Sequence, residues 1–327
     1  MRIIKSYIIL LALALCACSS ELPQIKVTVH ACASPIEGRA AAACVAIDST
    51  IYVLCGRSQT SAVNATMLVY DAALDEWSQV ATSMPARVNA TATIMDGNIY
   101  VGLGYGGKSI YDEQMYLRDF YRFAPENNSW TRLADYPSGN TVAAISFSDG
   151  QYIYVGFGFH SFTHELYRYN PKTDAWEQVS KHLSASDYPP RVMSPIAGVV
   201  GTRYFVGTGF RNFVGSFMAE YIPASDSWEK RTPVPGKARH NAAATATDEQ
   251  LFVFGGWHYG DSLTTGFHYD DILSYSPDKD QWTSYGTMPD GQAENRVAAR
   301  IGNTIYFGLG EDQHGKLLTN FYCFEVK

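Results

Sequence analysis

Arginine recurs at one kind of place in this 327-residue chain: Arg39, Arg87 and Arg239 each stand just ahead of a small-residue segment, and Arg191 stands one residue out of that register. The corresponding places elsewhere hold Asn140 and Ala293, the latter with Arg296 three residues further on. Asparagine recurs two positions after the arginine site, at Asn89, Asn241 and Asn295. A second set follows six recurring glycines: Arg57-Ser58, Tyr105-Gly106, Phe159-His160, Phe210-Arg211-Asn212, Trp257-His258 and Glu311-Asp312. Guanidinium forks match carboxylates, asparagines add neutral donors and acceptors, and aromatic faces pack on sugar rings or peptide side chains. Such a mixture suits a small acidic ligand, provided that the fold brings these positions together.

The elements that must position them announce themselves by repetition. Tryptophans fall at Trp77, Trp130, Trp176, Trp228 and Trp282, spaced by 53, 46, 52 and 54 residues, a period that suits propeller blades. Each follows an aromatic seven residues earlier, at Tyr70, Phe123, Tyr169, Tyr221 and Tyr275. Between the two lies a polar turn such as Asn170-Pro171-Lys172-Thr173-Asp174, chemistry that joins two strands as a hairpin. Upstream, six aromatic-aliphatic strands run into glycine: Tyr52-Val53 to Gly56, Tyr100-Val101 to Gly104, Tyr154-Val155 to Gly158, Phe205-Val206 to Gly209, Phe252-Val253 to Gly256 and Tyr306-Phe307 to Gly310. Small-residue strands precede them, as at Ala90 to Ile94 and Ala242 to Thr245, with tight turns at Asp48-Ser49, Asp96-Gly97 and Gly302-Asn303. Each unit therefore reads as four strands, a to d from the axis outward. The tryptophans are expected in the core, because their regularity is that of packing.

The glycine-ended second strand, the aromatic at minus seven and the blade tryptophan together resemble the kelch repeat over essentially the whole chain beyond its first residues. Tyr100 to Gly104, Asp119-Phe120-Tyr121 and Asn128-Ser129-Trp130 look most like kelch lipoproteins of Gram-negative bacteria. The resemblance implies an all-β fold, a single six-bladed propeller over 19–327, with blades near 39–85, 86–138, 139–188, 189–235, 236–290 and 291–327. Phe324 matches the repeat aromatic without a tryptophan after it, so the alternating segment Gln24 to His30 is expected to supply the outer strand of the last blade and close the ring. Cys32 would then follow that strand and Cys323 lie on its neighbour, within reach of a disulfide. Cys44 and Cys55 are expected as free thiols, and no cysteine spacing suggests zinc.

In kelch propellers the connections entering strand a and leaving strand b form the ligand face. The resemblance thus implies a ligand set of Arg39, Arg57, Arg87, Asn89, Tyr105, His160, Arg191, Arg211, Arg239, Asn241, Trp257 and His258. The favoured ligand is a carboxylated sugar or glycan, or an acidic peptide, bound without catalysis. The alternative is mutarotation of sialic acid, with His160, His258 or Glu311 moving the proton; a third reading is a structural interaction scaffold. A copper oxidase does not fit, since His160, His240, His258 and His314 form no recognisable metal set, and no metal or other cofactor is expected.

Composition and processing signals complete the expectation. A net charge of -7 and a pI near 5.6 argue against a nucleic-acid partner. Arg2 and Lys5 precede the apolar run Ile8 to Leu15, and Leu15-Cys16-Ala17-Cys18 resembles a bacterial lipobox, which makes residues 1–18 a lipoprotein signal and Cys18 the acylated residue. Ser19-Ser20 lacks an inner-membrane retention aspartate, favouring the outer membrane, with the lipid as sole membrane contact and the protein a monomer.

Overall fold

The computed structural model describes residues 21–107, 115–139, 141–159, 165–179, 188–211 and 215–326. The signal segment with Cys18, together with Asn140 and His160, lies outside them. Among the described residues are six four-stranded antiparallel sheets arranged as a six-bladed propeller. Blade one is Ala43–Ile47, Thr50–Leu54, Thr66–Asp71 and Glu76–Ala81, paired in that order from the axis outward. Blades two to five repeat this order from Thr91–Met95, Ile145–Ser148, Ile196–Val200 and Ala243–Ala246. Blade six contributes Val297–Ile301, Thr304–Gly308 and Phe321–Glu325. Its fourth strand is His30–Ala31, with His30 opposite Cys323 and Ala31 opposite Tyr322.

The inner strand of each blade contacts the inner strand of the next, and blade six returns to blade one. Small side chains make that crowding feasible. At Gly198, a Cβ would stand 2.3 Å from Leu251 of the adjoining blade. Between neighbouring blades lie six apolar clusters, one per interface, such as Ile99, Val101 and Phe123 against Leu54 and Met67 between blades one and two. Burial of such faces is the main drive for stacking units that could not stand alone.

The ring closes differently from the expectation in one respect. Only His30–Ala31 joins the last blade, whereas Gln24 bridges in parallel to Ser284 on the outer strand of blade five. The reason is burial: Val27 and Val29 insert among Tyr285, Phe324 and their neighbours, so the segment spans the interface between two blades instead of extending one sheet.

Each tryptophan sits directly across from the aromatic seven residues earlier, with ring centroids 4.7–5.2 Å apart. The pair is also a fastener between blades. Trp77 Nε1 donates to the carbonyl of Ala33, and Asp75 accepts from the N–H of the same residue. Trp176 with Asp174 clasps Ala134, and Trp282 with Asp280 clasps Thr232, in the same way. Tyr70, Tyr169, Tyr221 and Tyr275 donate to Asp75, Asp174, Asp226 and Asp280, which hold left-handed backbone at φ of 47–54°. Blade two has Phe123, which cannot donate, and there the turn residue is Asn128 in place of aspartate.

Candidate functional site

The six second strands end in two consecutive left-handed residues, for example Leu103 at φ +59° and Gly104 at φ +94°. The second must be glycine, because a Cβ on Gly104 would meet the carbonyl oxygen of Val88 at 2.5 Å. This reversal turns the next residue back over the mouth, where Arg57, Tyr105, Phe159, Phe210, Trp257 and Glu311 pair with Ala40, Val88, Val142, Met193, His240 and Glu294.

The recurring arginines lie beneath that surface. Arg39, Arg87 and Arg239 are buried, and each donates to the carbonyl of the residue just before a blade glycine: Cys55, Leu103 and Gly255. Arg87 forms a forked pair with Asp119 at 2.6 and 2.8 Å, and Arg239 forms another with Asp271. Arg39 pairs with Glu37. Expected as ligand donors, these three lie beneath the mouth as blade fasteners, their terminal guanidinium nitrogens bound to carbonyls and acids. In blade six Arg296 occupies the same role from a displaced position, donating to Leu309 O and Asp290. Blade three presents Thr141 in register, its hydroxyl on Phe159 O.

The asparagines are also more structural than expected. Ala41, Asn89, Ala143, Ser194, Asn241 and Asn295 all hold φ between +50° and +56°. Five backbone bonds of 2.8–3.4 Å link them head to tail around the axis, from Asn89 N to Ala41 O through to Ala41 N to Asn295 O. Asparagine suits the position because its side chain tolerates left-handed backbone. The belt rims a cavity of about 130 Å³ at the channel. Two of the asparagines look upward: Asn241 donates to Glu294 and Asn295 donates to Glu311.

Above the belt, the mouth has two characters. One arc is aromatic: Tyr105, Tyr116 and Phe159 follow one another at 5.1 and 6.2 Å, and Phe210, His240, Trp257 and Tyr259 pack at 5.0–5.4 Å. The other is charged: Glu294 and Glu311 are direct cross-strand partners, Arg57 pairs with Glu311, and His268 Nε2 lies 3.3 Å from Glu294. His268 is held there by the indole of Trp257, stacked on it within 8° of parallel.

In blade five a two-stranded hairpin, Trp257–Gly260 with Thr265–His268, rises over this mouth. It walls a pocket of about 520 Å³ whose lining includes Phe210, Arg211, Lys237, His258, Tyr259 and Asp261. His258 is buried, and its Nδ1 lies 2.9 Å from the carbonyl of Ala238, to which it must donate. Nε2 has no hydrogen-bond partner, and Asp261 Oδ2 stands 3.8 Å away. Asp261 is held at about 2, below the carboxylate range, first by the Leu263 N–H and then by Lys237 and the Thr264 N–H. Arg191 is half-buried where blade four begins, one residue before Val192, which takes the in-register position. Lys237, Tyr259, His268 and Glu294 escaped the sequence reading, although the near-repeat of Trp257-His258-Tyr259 as Phe267-His268-Tyr269 across a polar turn was a visible hairpin signal.

Burial, reinforced by His268 and His258, depresses His240 to about 4. The unfolded imidazole titrates near 6.5, so the unfolded chain binds the proton first on acidification. Stability from this group is complete above pH 6.5 and falls as pH drops towards about 4, by roughly 2–4 kcal/mol. His240→Phe, which keeps the packing between Phe210 and Trp257, should flatten that part of the pH profile in urea unfolding; an unchanged profile would contradict the assignment.

With the geometry in place, comparison with known proteins defines the class. The model described as the KLHDC2/KLHL20/DRC7 Kelch-repeats domain matches residues 21–209, and the Kelch motif matches residues 238–289. The chain belongs to the kelch-repeat family. It is similar to an N-acetylneuraminate epimerase of Yersinia enterocolitica, 24% identical over 227 residues, covering 66% of this chain and 50% of that protein. It is also similar to Kelch-like protein 25 of Xenopus tropicalis, 23% identical over 249 residues, covering 75% of this chain and 40% of the other. The chain thus spans about half, or less, of the length of these relatives. The solved structure titled "Structure of YjhT" superposes with a TM-score of 0.73 at 16% identity, over 90% of this chain and 97% of that one, which establishes shared fold. Among the described residues no three of His, Cys, Asp and Glu form a metal-binding group.

Proposed function

We propose that this propeller binds an anionic sugar, a monosaccharide or glycan terminus bearing a carboxylate, in the hairpin-walled pocket at its mouth. The observation that carries this reading is His258: a buried imidazole with Nδ1 fixed and an unpartnered Nε2 in a pocket large enough for one sugar ring. A buried polar atom without a partner is costly, and a sugar hydroxyl, which can both donate and accept, supplies one. Lys237, ion-paired at 3.1 Å to Asp261, and Arg211 lie on the same lining within reach of a carboxylate, while Tyr259 and Phe210 offer faces for the sugar C–H groups. The cationic contribution comes from these loop residues instead of the buried repeat arginines.

The same imidazole favours a second reading. When unprotonated, Nε2 at the anomeric hydroxyl can take its proton as the ring C–O bond breaks, while solvent water protonates the departing ring oxygen; on reclosure that hydroxyl gives its proton up and the imidazolium returns one to the anomeric oxygen, which is mutarotation. The relative named N-acetylneuraminate epimerase makes N-acetylneuraminate the first sugar to test. Acylation at Cys18 would tether this binder to the outer membrane. Saturation-transfer NMR should show contact with N-acetylneuraminate and glucuronate, weakened by His258→Ala, with neutral N-acetylglucosamine as control. Exchange cross-peaks between anomers that grow with protein concentration would establish turnover; binding without them establishes capture. No transfer to either acidic sugar would refute the proposal.

A further inference from the structure

The two ends of the chain meet at a seam held by few bonds, and a cysteine stands on each side of it. The final blade's outer strand is only His30–Ala31, and beyond it the Cys32 N–H donates to Phe321 O at 2.9 Å. In this register Cys323, opposite His30, and Cys32, opposite Phe321, present their side chains on one face of the sheet. Both are free thiols, and they lie within hydrogen-bonding reach of each other. The next residue, Ala33, is gripped on both its N–H and its carbonyl by Asp75 and Trp77 of blade one, which fixes the position of Cys32. Cys323 also lines a groove of about 610 Å³ beside Ile25, His30 and Tyr306, a route by which an oxidant reaches the pair.

We propose that Cys32 and Cys323 are a disulfide-forming pair that converts the closure of the propeller from hydrogen-bonded to covalent. The co-reactant is an external disulfide, here glutathione disulfide. The Cys32 thiol loses its proton and attacks one sulfur, releasing one glutathione thiolate that takes up the proton. The Cys323 sulfur then displaces the second glutathione from the mixed disulfide, so two protein thiols are oxidised and one external disulfide is reduced to two thiols. Burial, with the hydrogen bond to Cys323 next, pushes the Cys32 thiol up to about 12. Uncatalysed exchange is therefore slow and accelerates about tenfold per pH unit across neutral pH. The bridge would enclose nearly the whole chain, the regime in which a crosslink most restricts the unfolded state. Cys44 and Cys55 share blade one but have no such seam to close, and burial keeps them as thiols.

Tryptic mapping separates the cases. Cleavage after Lys26, Arg39, Arg57 and Lys316 places Cys32 in 27–39, Cys44 and Cys55 together in 40–57, and Cys323 in 317–327. After oxidation of the folded full chain with glutathione disulfide, mass spectrometry should find 27–39 joined to 317–327, and reduction should lower Tm by about 5 °C. Cys323→Ser should lose both the joined peptide and the reduction-dependent part of Tm. Recovery of Cys32 and Cys323 as separate alkylated or glutathionylated peptides after exhaustive oxidation of the wild type would overturn the proposal, as would a joined peptide whose reduction leaves Tm unmoved.

Discussion

Arg87→Ala is expected to lower the free energy of unfolding by about 3–5 kcal/mol while leaving affinity at the mouth within about twofold. The side chain is fully buried, and its guanidinium binds both oxygens of Asp119 and the carbonyl of Leu103. Alanine strands that carboxylate and that carbonyl in a mostly buried site, and a largely desolvated charge without its partner is the costly part. Arg87→Lys retains the charge but cannot fork, so it should recover only part of the loss. Urea denaturation of the three proteins measures this. A loss below about 1 kcal/mol accompanied by selective loss of binding would restore Arg87 to the ligand set.

Trp257→Ala should act in the opposite sense, reducing affinity for the acidic sugar by about 30- to 100-fold, or 2–3 kcal/mol. Trp257 stacks on His268, packs against His240 and Tyr259, and starts the hairpin that walls the pocket. Removing it releases His268 from Glu294 and loosens the strand that carries His258. It is half-buried, so its removal should cost the fold less than loss of Arg87. Calorimetric titration of wild type and variant checks the affinity; equal affinities would place the ligand elsewhere.

The propeller was legible because its markers are periodic. The aromatic and tryptophan seven residues apart turned out to be a directly opposed cross-strand pair, and the paired glycine-ended strands turned out to be the second strands of all six blades. The arginines were equally visible, but their burial was not, since a guanidinium has the same sequence signature whether it meets a ligand or an internal acid. One signal pointed to the internal acid: Asp119 and Asp271 each lie 32 residues beyond their arginine, Asp119 just ahead of strand c and Asp271 at its first residue. The coupled change to Phe123 and Asn128 was a second such signal, for the tyrosine-aspartate clasp. The mouth itself was less legible. Glu294 with His268, and Lys237 with His258 and Asp261, are brought together by blade-to-blade packing and by the blade-five hairpin, so no internal period marks them. The closing strand was placed correctly in the last blade but too early in the chain, because alternation at Val27 and Val29 signals burial without saying whether a sheet or an interface receives it.

The repeat arginines hold the blades, and the blade-five side of the mouth is the proposed seat of the ligand. The most direct test of this division measures unfolding in urea and N-acetylneuraminate binding by titration on the same preparations of wild type, Arg87→Ala and Trp257→Ala. Arg87→Ala is expected to move the unfolding midpoint and spare affinity, and Trp257→Ala to lose affinity with the smaller change in midpoint. Loss of affinity in Arg87→Ala at unchanged stability, with Trp257→Ala binding as wild type, would contradict this division.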